Sequence, residues 1–139
     1  MGVAAVSLDG FIADDNDDVG PLFDWLGSGD VGRSLPGISD EARSSRASAD
    51  FTTSHYANTA ANVIGRRLFD LTTADGKPAA YEHVSVVTHQ PPTGEHFGTA
   101  PFTFFEGVAE AIAAAKEFAG DRDVDVAGGQ IGSQALQLS

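Results

Sequence analysis

Val126-Ala127-Gly128-Gly129-Gln130-Ile131-Gly132 is an apolar run that ends in paired glycines and passes into a helical pattern reaching about Leu138. Val63-Ile64-Gly65-Arg66-Arg67 has the same design earlier in the chain, with Arg66 to Leu71 as the helix that opens after the glycine. Each reads as a buried strand followed by a turn and a helix start. A helix start carries unpaired N–H groups and a partial positive charge, and glycine lets an anion come close to the backbone. Both stations could therefore hold phosphate. Arg66-Arg67 is the only adjacent pair of basic residues in a chain of formal charge -12, and a guanidinium donates charge-assisted hydrogen bonds to phosphate. A plain turn with two solvated arginines is the alternative at the first station. The second is no Rossmann fingerprint, because Gln130 stands where G-x-G-x-x-G needs its second glycine.

Outward from these stations, the pattern alternates. Val3 to Ser7 reads as a strand that breaks at Asp9-Gly10, and Gly20 to Asp40 as loop with a helical turn at Leu22 to Leu26. Ala49, Thr53 and Tyr56 share a helical spacing, so a helix is expected somewhat after Asp40 and up to Asn58. Ala61 to Ile64, His83 to Thr88, Phe102 to Phe105 and Val124 to Ala127 are further strands. Pro91-Pro92 stops the second of these, since proline cannot donate to a ladder. Gly107 to Ala119 is the clearest helix, with Val108, Ile112, Ala115 and Phe118 on one face and Gly120 as its stop. Strands alternating with helices predict an α/β fold, a largely parallel sheet covered on both faces.

The 139 residues fall within the range of one domain, expected to span the whole chain. Twenty acidic residues against eight basic ones argue against nucleic acid and anionic membrane as partners. The absence of cysteine excludes disulfides, a thiolate nucleophile and a Cys-based metal site. No apolar run reaches bilayer length and the N-terminus lacks the order of a signal peptide, so a cytoplasmic location is the expectation.

Two metal readings fail on spacing. Asp14-Asp15-Asn16-Asp17-Asp18 looks like the start of an EF-hand loop. Counted from Asp14, however, Val19 and Trp25 occupy the positions that need glycine and glutamate, and counting from Asp15 leaves Leu26 in the glutamate position. His55, His83, His89 and His96 form no H-E-x-x-H or comparable pair, so a metal hydrolase is not expected and no metal ligand is assigned.

Taken in order, Ser7-Leu8-Asp9-Gly10-Phe11-Ile12-Ala13, Ile64-Gly65-Arg66-Arg67-Leu68-Phe69, Val86-Val87-Thr88-His89 and Val126-Ala127-Gly128-Gly129 resemble the dihydrofolate reductase superfamily. The likeness is to its branch related to the C-terminal reductase domain of bacterial bifunctional riboflavin-biosynthesis enzymes, and it covers nearly the whole chain. It implies a three-layer α/β fold, a mixed, mostly parallel sheet with helices on both faces. It also implies NADPH as cofactor and hydride transfer to a small heterocyclic substrate, pterin- or aminopyrimidine-like. By that resemblance Ala5, Ile12 and Ala13 border the nicotinamide, and Gly65, Arg66 and Arg67 hold phosphates. Thr88 and His89 face the 2′-phosphate, while Gly128, Gly129, Gln130, Ile131 and Gly132 line the pyrophosphate. It implies a cis Gly128-Gly129 bond.

Asp9 and Asp24 are candidate proton donors, with a turn or capping role as the alternative for each. Trp25 could stack on a flat substrate or belong to the core beside Leu22, Phe23 and Leu26. Family members continue past the last helix with further strands, so the chain is expected to be C-terminally truncated. An open sheet edge and a homodimer are then expectations, and a non-catalytic remnant with weak nucleotide affinity is the rival to an active reductase.

Overall fold

The structure, a computed structural model, describes residues 2–32, 42–72, 81–93 and 101–138. In chain order the elements are β1 (Gly2–Val3), a 3-10 helix (Gly20–Leu26), β2 (Val31–Gly32), β3 (Arg43–Ser44) and α1 (Arg46–Asn58). They continue with β4 (Thr59–Gly65), α2 (Arg66–Thr72), β5 (His83–Val87), β6 (Phe102–Phe105), α3 (Val108–Ala119), β7 (Asp123–Ala127) and α4 (Gln130–Gln137). The main sheet runs β1-β7-β4-β5-β6, and every pairing in it is parallel. The antiparallel part of the expected mixed sheet is a separate pair, β2 with β3.

Strand β4 sits at the centre because both of its faces carry buried apolar residues, Ala61 and Val63 on one and Ala60 and Ile64 on the other. Ala61 and Val63 point to the side covered by α3, where Ala111 and Ala115 meet them and Val124, Val126, Phe105 and Ile131 complete the cluster. Ile64 points to the other side, where Phe69 of α2 packs with Val84, Val86, Phe102 and Phe104. Phe69 is fully buried and meets both phenylalanines edge to face, at centroid distances of 5.2 and 5.5 Å, a favoured aromatic geometry. Helices thus cover both faces, and the three-layer α/β architecture stands.

Local chemistry sets the helix ends. Ser45 caps α1, its side chain accepting from the backbone N–H of Ser48, which starts the helix at Arg46, six residues after Asp40. Gly120 ends α3 at φ +61, a backbone conformation that glycine holds without penalty. Phe118, expected on the inner face of α3, is instead 46% exposed and stacks on His83 at 4.9 Å, while Ala111 and Ala119 take the buried positions.

One strand differs from expectation. Of the run Val3 to Ser7, only Val3 pairs in β1, because its neighbour β7 ends at Ala127, opposite Val3. Beyond that point the chain finds no ladder and closes a turn of its own, with Ser7 N–H on the Phe11 carbonyl and Gly10 N–H on that of Ser7. Among the described residues no helix is long and apolar enough to cross a membrane.

Candidate functional site

The ends of β4 and β7 are neighbours, since the two strands pair in parallel with Val63 opposite Val126. Their glycine turns therefore open on one rim of the sheet. Gly65 lies against α4, where an added Cβ would stand 3.1 Å from Cγ1 of Ile131. At Gly128 a Cβ would stand 3.0 Å from that of Ala4, and at Gly129 one would stand 3.7 Å from Cδ1 of Ile12. The rim thus gathers the turn after β4, the turn after β7 and the segment after β1. Of the residues read from the sequence it brings together Ile12, Gly65, Gly128, Gly129 and Ile131. Ala5 and Ala13 are half-buried on the segment after β1, and Gln130 and Gly132 lie in the first turn of α4.

Gly129 adopts φ +79, which favours glycine, and it precedes α4 without any side-chain cap. The first α4 hydrogen bond runs from Ser133 N–H to the Gly129 carbonyl, so the N–H groups of Gln130, Ile131 and Gly132 come before the internal ladder. That donor set suits a phosphate. The expected cis bond is not there: the Gly128-Gly129 peptide is trans, as are all peptide bonds among the described residues. The positive φ of Gly129 turns the chain into α4 in its place.

The arginines are engaged. Arg66 Nε donates to both oxygens of Asp70, one turn on, at 2.8 and 2.9 Å, and its Nη1 donates to the Gln90 carbonyl. Arg67 Nε reaches the two oxygens of Asp17 at 2.7 and 2.9 Å, and that hydrogen-bonded carboxylate raises the guanidinium pKa further. Thr88 is buried, its hydroxyl accepting from Gln90 N–H and donating to the Gln90 carbonyl, while His89 is exposed. Gln90 therefore ties the end of β5 to Arg66. Helix α2, at seven residues, has a weak dipole, so any anion affinity at this station rests on the arginine side chains.

Asp9 lines a shallow groove with Ser7, Phe11, Ala13, Asp14 and Asp18. The Ser7 hydroxyl donates to it at 2.6 Å, which with a backbone hydrogen bond holds its carboxyl below the usual carboxylate range. Asp9 is therefore an anion at neutral pH, which makes it an acceptor and a poor proton donor. Asp24 and Trp25 belong to the 3-10 helix, where Asp24 accepts from Gly27 N–H through its backbone and Trp25 is 38% exposed. Trp25 is thus no core residue.

A buried polar cluster escaped the reading of the sequence. Asp125 of β7, 1% exposed, accepts from His55 Nε2 of α1 and from the Tyr81 hydroxyl, both at 2.7 Å. Tyr81 is pushed far above the usual phenol range, first by burial and then by that hydrogen bond. The signal was present: in Asp123-Val124-Asp125-Val126 an inward carboxylate alternates with core valines. The expectation of no histidine metal site leaves His96 outside the described residues, and among those described no group of three or more His, Cys, Asp or Glu could hold a metal.

No family model and no curated protein matches the chain. Solved structures share its fold. One is the crystal structure of a protein from Shewanella sp. PV-4 provisionally described as a riboflavin biosynthesis protein, aligned over 98% of this chain and 67% of that one. The TM-score is 0.56 at 18% sequence identity, a likeness of fold.

Proposed function

We propose that the chain is a nucleotide-binding reductase of the dihydrofolate-reductase-like superfamily, taking NADPH at the shared rim of β1, β4 and β7. One observation carries this reading: two glycine turns from different parts of the chain open on one rim of the sheet, Gly65 against Ile131 and Gly129 against Ile12. The residues fit a dinucleotide. Uncapped N–H groups at the start of α4 match a pyrophosphate, and the near contacts of Gly65 and Gly128 leave no space there for a side chain. Arg66 and Arg67 stand at the neighbouring turn as partners for a further phosphate.

The cofactor would supply the hydride, and the chain's part would be to hold it and exclude water. A pterin- or aminopyrimidine-like heterocycle would lie in the groove of Ser7, Asp9 and Phe11, where the Asp9 carboxylate would accept hydrogen bonds from ring or amino N–H groups. Such a substrate would take its proton from solvent or from a group other than Asp9.

A second reading, a fold that binds nucleotide weakly without catalysis, is favoured by the same anionic Asp9 and by the carboxylates already on both arginines. Isothermal titration with NADPH, NADH and calcium, followed by NADPH oxidation against a heterocycle panel, tests both. Tight NADPH binding with turnover supports the reductase, and binding without turnover supports the second reading. Heat from calcium alone sinks the two together.

A further inference from the structure

Arg66 and Arg67 are neutralised in different ways. The partner of Arg66 is Asp70 on the same helix, so that pair moves as one body. The partner of Arg67 is Asp17, fifty residues earlier in the chain, on the loop that follows Ile12 and Ala13. Only the second pair joins two separate elements.

That loop is built to present its carboxylate. Asp14 Oδ1 accepts from the N–H groups of Asn16 and Asp18 at 2.8 and 2.9 Å, and Asp14 N–H donates to the Asp18 carbonyl at 2.9 Å. Asp17 N–H donates to the Asp14 carbonyl, closing the turn with Asp17 at φ +66, a conformation that residues other than glycine seldom hold. In that position Asp17 sets both carboxylate oxygens within 2.9 Å of Arg67 Nε. The two oxygens share that one N–H, the donor that a phosphate oxygen would otherwise take.

We propose that Asp17 is an internal competitor for the anion site at Arg67, a strap that occupies the guanidinium until an incoming phosphate displaces it. The proposal rests on the nucleotide reading for the identity of that phosphate. The strap and the glycine turn are mechanically joined, because Ile12, beside Gly129, lies on the same stretch of chain. Displacement of Asp17 therefore removes the tie between that stretch and α2. In the free protein an anion meets a carboxylate at Arg67, which sets a threshold against weakly bound anions such as single phosphates.

The test is titration of wild type, Asp17→Asn and Asp17→Asn/Arg67→Gln with inorganic pyrophosphate and with NADPH, beside hydrogen exchange over residues 14–18. An exposed ion pair of this kind is worth little, so Asp17→Asn is expected to tighten both ligands about fivefold. The second substitution should abolish that gain, and exchange at 14–18 should quicken on adding either ligand to wild type. A gain for pyrophosphate without any NADPH binding keeps the strap and removes the nucleotide reading. Equal NADPH affinity in wild type and Asp17→Asn overturns the strap and leaves the nucleotide reading standing. If neither ligand binds any variant, both fall.

Discussion

Gly65 packs so closely on Ile131 that a methyl group at position 65 would stand 3.1 Å from the isoleucine Cγ1. The contact locks the turn after β4 to the first turn of α4. Replacing glycine by alanine in a strand gains about 0.5–1 kcal/mol of backbone entropy, whereas an extra methyl in a filled space costs about 1–3 kcal/mol. Gly65→Ala should therefore lose about 1 kcal/mol on balance, read as a small fall in the urea midpoint. The Ile131 side chain must give way by a few tenths of an ångström, in the first turn of α4. NADPH affinity should fall more than stability does, and an unchanged affinity would show that the rim tolerates the displacement.

Asp125 predicts an asymmetry between two substitutions. Asp125→Ala leaves His55 and Tyr81 without their acceptor, at about 1–3 kcal/mol for each unsatisfied buried group. The loss should be about 3 kcal/mol in chemical denaturation. Asp125→Asn keeps a carbonyl oxygen for both donors. Its amide can also serve Asn62, which lies opposite Asp125 in the neighbouring strand and whose Oδ1 is buried without a donor among the described residues. That variant should lie within about 1 kcal/mol of wild type. Equal losses for the two would mean that the negative charge itself holds the cluster.

The contrast between these two sites and the fold shows what the sequence carries. Strands β4 and β5 and helix α3 were legible because burial imposes a local rhythm, Ala61 to Ile64 as a short run with Asn62 its one polar residue and Val108 to Ala119 at helical spacing between glycines. The length of β1 was not legible, since Val6 is as apolar as Val3, yet only Val3 meets a partner residue before β7 turns away at Gly128. The rim glycines were legible as turns, and their convergence followed once β4 and β7 paired. What the arginines touch was hidden, because Asp17 and Gln90 are brought to them only by the fold. The same holds for Asp125 and His55, seventy positions apart.

His83 sets a pH dependence. Burial beside Phe118 pushes its pKa below the ordinary histidine value of 6.5, so the folded state holds the ring neutral while the unfolded chain takes up a proton. Its contribution is present above pH 6.5 and is lost as the pH falls through the lower folded value. The urea midpoint of wild type should fall from about pH 6.5 downward, before the carboxylates titrate near about pH 4. In His83→Gln that early limb should flatten. An identical slope in the variant would assign the loss to another group.

Arg66 separates binding from folding. Its pair with Asp70 is a half-exposed i,i+4 bridge, worth about 0.3–0.5 kcal/mol, and its hydrogen bond to the Gln90 carbonyl adds a single contact to the end of β5. Arg66→Ala should therefore cost under about 1 kcal/mol of stability. A guanidinium that grips a phosphate contributes about 1.5–3 kcal/mol, so the same variant should weaken NADPH at least about tenfold by isothermal titration. Arg66→Lys retains the charge and loses the planar fork, which places it between the two if the contact is bidentate. Affinity in Arg66→Ala equal to wild type, with the fold intact, would confine Arg66 to tethering α2 and the end of β5.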